Sequence, residues 1–335
     1  MSVLDPFALG SFVQSDGRAF LGVVSDDAVT PVDALTQGRF PADVTLARLL
    51  QDWDANLATI KLAIAADRRR TPRAPRIPVT DLQAQAPVPD ARQVFCTGAN
   101  YGRHLVQMAV AVGGPETEGL NPEQRRALGE AFLVRQKAES SPYVFMKPVT
   151  SIAGPNDLLI LPDFSEKADW EVELGVVIAS PTYRVSRANA LKHVAGYMVV
   201  NDLTARDKVK RTDPGAIGPD WIASKGAPGF LPTGPYLVPA EFVPDPQNLG
   251  LRLKVNGVMM QDDSTSDMTF DVARQIEFIS SYARMLPGDI LCTGTPGGNG
   301  VTRGIFLRDG DVMEVEIDGL GRQTTLCRRS ASTER

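Results

Sequence analysis

Glu171 and Glu173 lie one residue apart in Trp170-Glu171-Val172-Glu173-Leu174-Gly175-Val176-Val177-Ile178, a stretch that is otherwise apolar. Side chains of a strand alternate between its faces, so the two carboxylates emerge on the same side. Like charges held together in an apolar setting repel each other and lose hydration, a cost of several kcal/mol. A cation between them relieves both penalties, and a divalent ion is the simplest one. Asp202 ends a second apolar run, Gly196-Tyr197-Met198-Val199-Val200-Asn201-Asp202, and can complete a set of three. Three hard oxygen donors without His or Cys suit Mg²⁺ or Mn²⁺ rather than Zn²⁺. An Asp at that place also caps turns and helices, and spacing alone leaves both roles open.

The elements that position these residues are mostly strands. Runs at 94–98, 143–147, 158–161, 171–178, 196–200, 251–255, 290–293 and 311–317 are short, apolar and bounded by Gly, Pro or Asn-Gly. Two helices interrupt them. One spans 270–285, and the other starts with Asn121 as N-cap and Pro122 at the first helical position. Earlier, Ser15-Asp16-Gly17 and Asp26-Asp27 separate strand-like runs, and Leu46, Leu49, Leu50, Trp53, Leu57 and Ile60 follow helical spacing up to Arg68. The Pro/Ala/Gln-rich stretch 71–92 reads as a linker. The expected class is α+β and mostly β, with a small α+β N-terminal domain at 1–70 and a larger domain at 93–330. No GxGxxG or Walker loop is present, and Thr293-Gly294-Thr295-Pro296-Gly297-Gly298 lacks the Lys-Ser/Thr of a phosphate loop.

Composition narrows the function classes. A chain of 335 residues, 43% hydrophobic and 22% charged, is ordinary for a soluble globular protein. A net charge of −5 argues against a nucleic-acid surface, and Arg68-Arg69-Arg70 reads as a solvated linker. Three scattered cysteines without CxxC spacing argue against a disulfide framework. The N-terminus has no basic-then-apolar signal pattern and no apolar run has the length of a membrane span, so a cytoplasmic protein without membrane partners is expected.

The motifs together resemble the fumarylacetoacetate hydrolase family, in its acylpyruvase and 2-hydroxyhepta-2,4-diene-1,7-dioate isomerase-like branch. They are Gly98-Ala99-Asn100-Tyr101-Gly102-Arg103-His104, Pro142-Tyr143-Val144-Phe145-Met146-Lys147-Pro148, Trp170 to Leu174, and Gly196-Tyr197 through Asn201-Asp202-Leu203-Thr204-Ala205-Arg206-Asp207. Asn256-Gly257 and Pro287-Gly288-Asp289-Ile290 through Thr293-Gly294-Thr295-Pro296 complete the series in family order. The resemblance implies a mixed β-roll or β-sandwich domain, usually a homodimer, with Mg²⁺ or Mn²⁺ held by Glu171, Glu173 and Asp202. It also implies a catalytic base at His104, on a segment that closes over the metal.

The same carry-over places Lys147 and Lys225 near the metal, Lys225 supporting an oxyanion, and makes Tyr101, Arg206 and Thr295 candidate substrate contacts. Lys147 is equally read as a salt-bridged structural residue, and Arg206 as a brace for the Asp202 loop. His193 has no motif around it and reads as structural. Two positions depart from the pattern. Gln107 stands where many members carry a Glu that orients the His, leaving Glu116, Glu118, Glu123 or Asp309 as substitutes. Val209 stands where many carry a substrate-binding Gln, and Lys208 and Lys210 flank it. The segment from His104 to Ser141 is long, can bend at Ala109 to Gly114, and reads as a substrate-gated lid or a dimer-contact insertion.

The expected activity is metal-dependent hydrolysis of a carbon–carbon bond in a 1,3-diketone or acylpyruvate-type oxo acid, in aromatic-compound catabolism. Decarboxylation of a 2-oxo acid such as oxaloacetate, and isomerisation or tautomerisation, are the alternatives on the same site. Replacing Glu171 or Asp202 by Ala is expected to abolish turnover without unfolding the domain.

Overall fold

The computed structural model describes residues 5–113, 115–211, 213 and 218–329. Two sheets carry the larger domain. The first has six strands in the order Val238–Pro239, Val194–Asn201, Val172–Ile178, Ile290–Cys292, Val94–Gly98 and Tyr143–Lys147. All neighbours are antiparallel except Ile290–Cys292 with Val94–Gly98. The second has five, ordered Val258–Ser264, Gly250–Val255, Val312–Ile317, Gly321–Arg329 and Leu159–Leu161.

The alternation read from Trp170 to Ile178 decides which way the strand faces. Val172, Leu174 and Val176 pack with Leu251, Leu253, Val255, Met313, Val315 and Ile317 of the five-stranded sheet, closing a sandwich core. Glu171 and Glu173 therefore look out of the opposite face. Farther along that face Val177 joins Met198 and Val200 in a second core, against Leu46, Leu49, Leu50 and Trp53 of the N-terminal region. This is the α+β, mostly β architecture expected, with a five-stranded antiparallel sheet over residues 8–84 at the N-terminus.

Most strand expectations hold to within one or two residues, and Tyr143–Lys147 and Val94–Gly98 hold along their length. Asn121 caps Pro122–Glu139 in a reciprocal capping box: its side chain accepts from Gln124 N while the Gln124 side chain accepts from Asn121 N. Three regions differ from expectation. The helix read through 46–67 is two helices, Leu46–Leu50 and Trp53–Asp67, interrupted where Asp52 leaves helical geometry. The stretch expected as a linker contributes Ile77–Pro78 and Gln83–Ala84 to the edges of the N-terminal sheet. Gly321–Arg329, nine residues long, carries no apolar signal because its inward positions are Gln323, Thr325 and Cys327. Gln323 donates there from Nε2 to the carbonyls of Val199, Pro232 and Gly234, at 2.9, 3.2 and 3.0 Å.

The long segment after Tyr101 is an antiparallel helical hairpin, Gly102–Ala111 and Pro122–Glu139, joined through a short 3-10 turn at Pro115–Thr117. Gly129 is what lets the helices meet: a Cβ there would stand 3.1 Å from Ala109 Cβ and 3.2 Å from Val106 Cα. The first helix ends at the expected bend, with Gly113 at φ +67°, while Gly114 lies outside the described residues.

Candidate active site

Glu171, Glu173 and Asp202 each offer a carboxylate oxygen within 4.8 Å of the others, and all three are buried. Backbone pairing brings Asp202 to the glutamates, since Asp202 N donates to Glu171 O at 2.9 Å and Glu171 N to Asn201 Oδ1 at 2.9 Å. Gly294 supplies another anchor. Its φ of +94° turns its N–H onto Glu173 Oε2 at 2.8 Å, and a Cβ there would stand 2.8 Å from Asn100 Cβ.

Three cations surround the carboxylates. Lys225, at the end of the helix Trp221–Lys225, donates to Glu171 Oε2 at 2.9 Å, Asp202 Oδ2 at 2.6 Å and Asp202 O at 3.1 Å. Lys147 donates to Asp202 Oδ1 at 2.7 Å and Leu203 O at 3.1 Å. Arg206 donates from Nε to Asp169 Oδ2 at 2.7 Å and from its terminal nitrogen to Glu171 Oε1. Burial alone would raise the Glu171 pKa, but Lys225 and Arg206 outweigh it and hold the group at about 2. Burial works against charge on Lys225 as well, yet Asp202 and Glu171 keep the ammonium firmly protonated.

Glu173 is the exception. Among the described residues it forms no ion pair, and burial, with Asp202, Cys292 and Glu171 beside it, pushes its carboxyl well above the usual range. A divalent cation among the three carboxylates would remove that penalty, and an all-oxygen donor set suits Mg²⁺ or Mn²⁺. The residues present therefore fit such an ion.

His104 enters from the hairpin's first helix. The residue is 8% exposed, and burial, partly offset by Glu171, lowers its pKa to about 4, so the imidazole is neutral at pH 7. Gln107 is not its partner: Gln107 Oε1 accepts from Gly298 N at 2.8 Å, pinning the hairpin to the loop after Pro296. Nor is Asp309, whose carboxylate accepts from Arg329 N at 2.8 Å. Tyr101 is fully buried with no partner for its hydroxyl among the described residues, and burial followed by Glu173 raises its pKa. Thr295 Oγ1 donates to Val172 O at 3.0 Å and accepts from Gln261 Nε2 at 2.9 Å, so backbone and Gln261 already occupy it. Arg206 is likewise committed, to Asp169 and Glu171 rather than to the Asp202 loop. His193 Nδ1 bonds Ser180 Oγ at 2.7 Å, as befits a structural residue.

Asp169 and Asn299 were not singled out in the sequence. Asp169 ties Arg206 to the backbone of Gly300 and Val301, at 2.6 and 3.0 Å, and Asn299 donates from Nδ2 to Trp170 O at 3.0 Å. Asp169 stands two residues before Glu171, on the spacing that first drew attention to Glu171 and Glu173. Asn299 lies in a glycine-rich loop that gives no local signal.

Residues 93–326 match the family described as fumarylacetoacetate (FAA) hydrolase, C-terminal. This chain belongs to the fumarylacetoacetate hydrolase family. Among its relatives, 2,4-didehydro-3-deoxy-L-rhamnonate hydrolase of Sphingomonas sp. (strain SKA58) is 45% identical over 187 residues, 55% of this chain and 64% of that protein. The match thus spans just under two thirds of that relative's length. Mitochondrial oxaloacetate tautomerase FAHD2B of Bos taurus is 36% identical over 279 residues, 83% of this chain and 77% of that one. Maleylpyruvate hydrolase from Sphingobium sp. SYK-6, solved with manganese(II) and pyruvate, superposes with a TM-score of 0.70 at 26% identity, covering 97% of this chain and 100% of its own. For 2-hydroxyhepta-2,4-diene-1,7-dioate isomerase from Mycobacterium marinum the TM-score is 0.67 at 27% identity, over 97% and 100%. The family's members include hydrolases, isomerases and tautomerases, and this chain is an enzyme of that group. Among the described residues no helix is long and apolar enough to cross a membrane.

Proposed function

We propose that this enzyme hydrolyses a carbon–carbon bond in a 1,3-diketone of the acylpyruvate type, releasing pyruvate and a carboxylic acid, in aromatic-compound catabolism. The observation that carries the proposal is the juxtaposition of three buried carboxylates, one lacking an ion pair, with a neutral buried imidazole. Glu171, Glu173 and Asp202 would hold Mg²⁺ or Mn²⁺. When bound, such an ion supplies Lewis acidity, polarising a substrate carbonyl and offsetting developing negative charge.

The chain's own residues supply the proton movements. His104, neutral at pH 7, accepts a proton from water as the water oxygen bonds to the distal carbonyl carbon. Lys225 supports the oxyanion. All three of its ammonium protons are engaged, so this support exchanges one carboxylate or carbonyl bond for a substrate oxygen. Collapse breaks the carbon–carbon bond, its electron pair leaves on the pyruvyl fragment, and His104 returns its proton there. Arg206 and Lys147 hold Glu171 and Asp202 in place throughout. The segment 104–141, which contains most of the hairpin, serves as the lid of the catalytic domain 93–330, and the working unit is a cytoplasmic homodimer.

A second reading is tautomerisation or decarboxylation of a 2-oxo acid such as oxaloacetate. It is favoured by Gln107, whose engagement with Gly298 leaves no carboxylate at that position to stabilise an imidazolium. Proton NMR of acetylpyruvate and oxaloacetate with chelator-stripped protein, with and without Mg²⁺ or Mn²⁺, separates the two. Metal-dependent acetate and pyruvate from acetylpyruvate are expected. Turnover of oxaloacetate alone, with acylpyruvates of several chain lengths untouched, would replace hydrolysis by the second reading.

A further inference from the structure

The position that orients His104 is vacant at residue 107, and the structure offers another. Among the described residues two buried polar atoms of neighbouring side chains lack a hydrogen-bond partner: Nδ1 of His104 and Oδ1 of Asn299. The Asn299 amide also raises the His104 pKa as a hydrogen-bonding neighbour does. Asn299 is fully buried, and its Nδ2 is spent on Trp170 O, which leaves Oδ1 as the free end of the amide. An orphaned acceptor and an orphaned donor-capable nitrogen, each costly alone, would satisfy one another as a pair.

We propose that Asn299 is the positioning residue for His104. Its Oδ1 accepts from Nδ1–H, which fixes the imidazole as the Nδ1–H tautomer and leaves the Nε2 lone pair free to take a proton. The pairing rests on His104 being the base, and it defines what kind of base it is. A family site built on a charged carboxylate–histidine pair is rebuilt here around a neutral one. The other charges acting on the ring are Glu171, Arg206 and Lys225, and none of them takes the place of the amide. The loop that carries Asn299 is also the loop that Gln107 grips through Gly298. Closing the hairpin and orienting its histidine therefore act on the same few residues.

The chain has only two histidines, so imidazole ¹⁵N spectra of the full-length protein read His104 directly, with His193→Gln assigning the pair. In the unaltered protein His104 is expected as the Nδ1–H tautomer. Asn299→Ala should return it to a mixture dominated by the Nε2–H form, while the His193 signals, held by Ser180, report that the fold persists. Asn299→Asp should restore the Nδ1–H tautomer and raise the titration midpoint of His104 by about one unit or more. Gln107→Glu should move that midpoint far less than Asn299→Asp does. An unchanged tautomer in Asn299→Ala, or a Gln107→Glu shift equal to that of Asn299→Asp, would overturn the assignment. Because these readouts need no substrate, they stand apart from acetylpyruvate turnover: a wrong substrate leaves them intact, and a wrong partner leaves turnover products unchanged.

Discussion

The carboxylate cluster and the helical hairpin supply the two halves of this site and are built on opposite plans. The cluster hangs from the middle of a six-stranded sheet, and Glu171, Asp202, Lys147 and Lys225 are each below one tenth exposed. Of its three carboxylates and three cations all but Glu173 are already paired with one another, with distances from 2.6 to 2.9 Å in the lysine pairs. The hairpin buries little; Val134 is 70% exposed and Phe132 43%. It is attached at a few points: Gln107 to Gly298, Arg103 N to Asp267 Oδ2 at 2.9 Å, and Gln136 Nε2 to Ala99 O at 3.4 Å. The lesson is a division of labour. The paired charges are set in the core, and His104, the proposed base, sits on an element held by few bonds.

The sharpest way to break that comparison is at Asp202. Asp202→Ala leaves Lys147 and Lys225 buried without their shared carboxylate, and such a loss costs roughly 3–5 kcal/mol. To the expectation that this variant loses turnover without unfolding the domain, the ion pairs add a large loss of stability. Turnover should vanish and the thermal midpoint should fall by many degrees, as calorimetry reads. Asp202→Asn keeps an acceptor for one lysine but turns an N–H donor toward the other, and should lose turnover with a smaller fall than Asp202→Ala. A midpoint within a degree or two of the parent for Asp202→Ala would show that the cluster is not the rigid half.

His104 provides a test on the other side. An unfolded imidazole titrates near 6.5, whereas folded His104 titrates at about 4. Between those values the unfolded chain binds more protons, so stability is fully present above about 6.5 and is lost as pH falls toward about 4. His104→Gln should remove a few kcal/mol of that acid-side loss and abolish turnover. Chemical denaturation at pH 7.5 and 4.5 compares the two proteins; parallel losses would place the histidine in water rather than in a dry pocket.

Smaller effects belong to the hairpin alone. Gln107→Ala deletes the grip on Gly298, worth about 1 kcal/mol, and should speed proteolysis within 108–141 several-fold, less so with a bound diketone analogue. Equal cleavage rates would mean that the hairpin is held elsewhere. Asn121→Ala removes the capping box and should cost about 0.5–2 kcal/mol locally. Amide exchange should rise in 122–139 while the strand Val172–Ile178 stays protected.

Much of this was legible along the chain because it is local. The i, i+2 pair Glu171 and Glu173, the Asn121-Pro122 helix start and the Asn256-Gly257 turn, with φ values of +52° and +77°, all express rules that act within a few residues. The strand Gly321–Arg329 was not legible, because its inward side chains include Gln323 and Thr325, and the carbonyls to which Gln323 donates lie about 90 to 120 residues away.

By itself, then, the sequence determined three carboxylates on strand ends, a histidine at a helix start and the family to which they belong. Only the tertiary structure decided who partners whom. It gave Asp202 to Lys147 and Lys225, withdrew Arg206 and Thr295 into the protein's own bonds, assigned Gln107 to the backbone and brought Asn299 to His104. The physical reason is that strand alternation and helix capping are fixed by neighbours in the chain. Neutralising a buried charge or filling an empty lone pair depends on which distant residues the two sheets and the hairpin bring within about 3 Å.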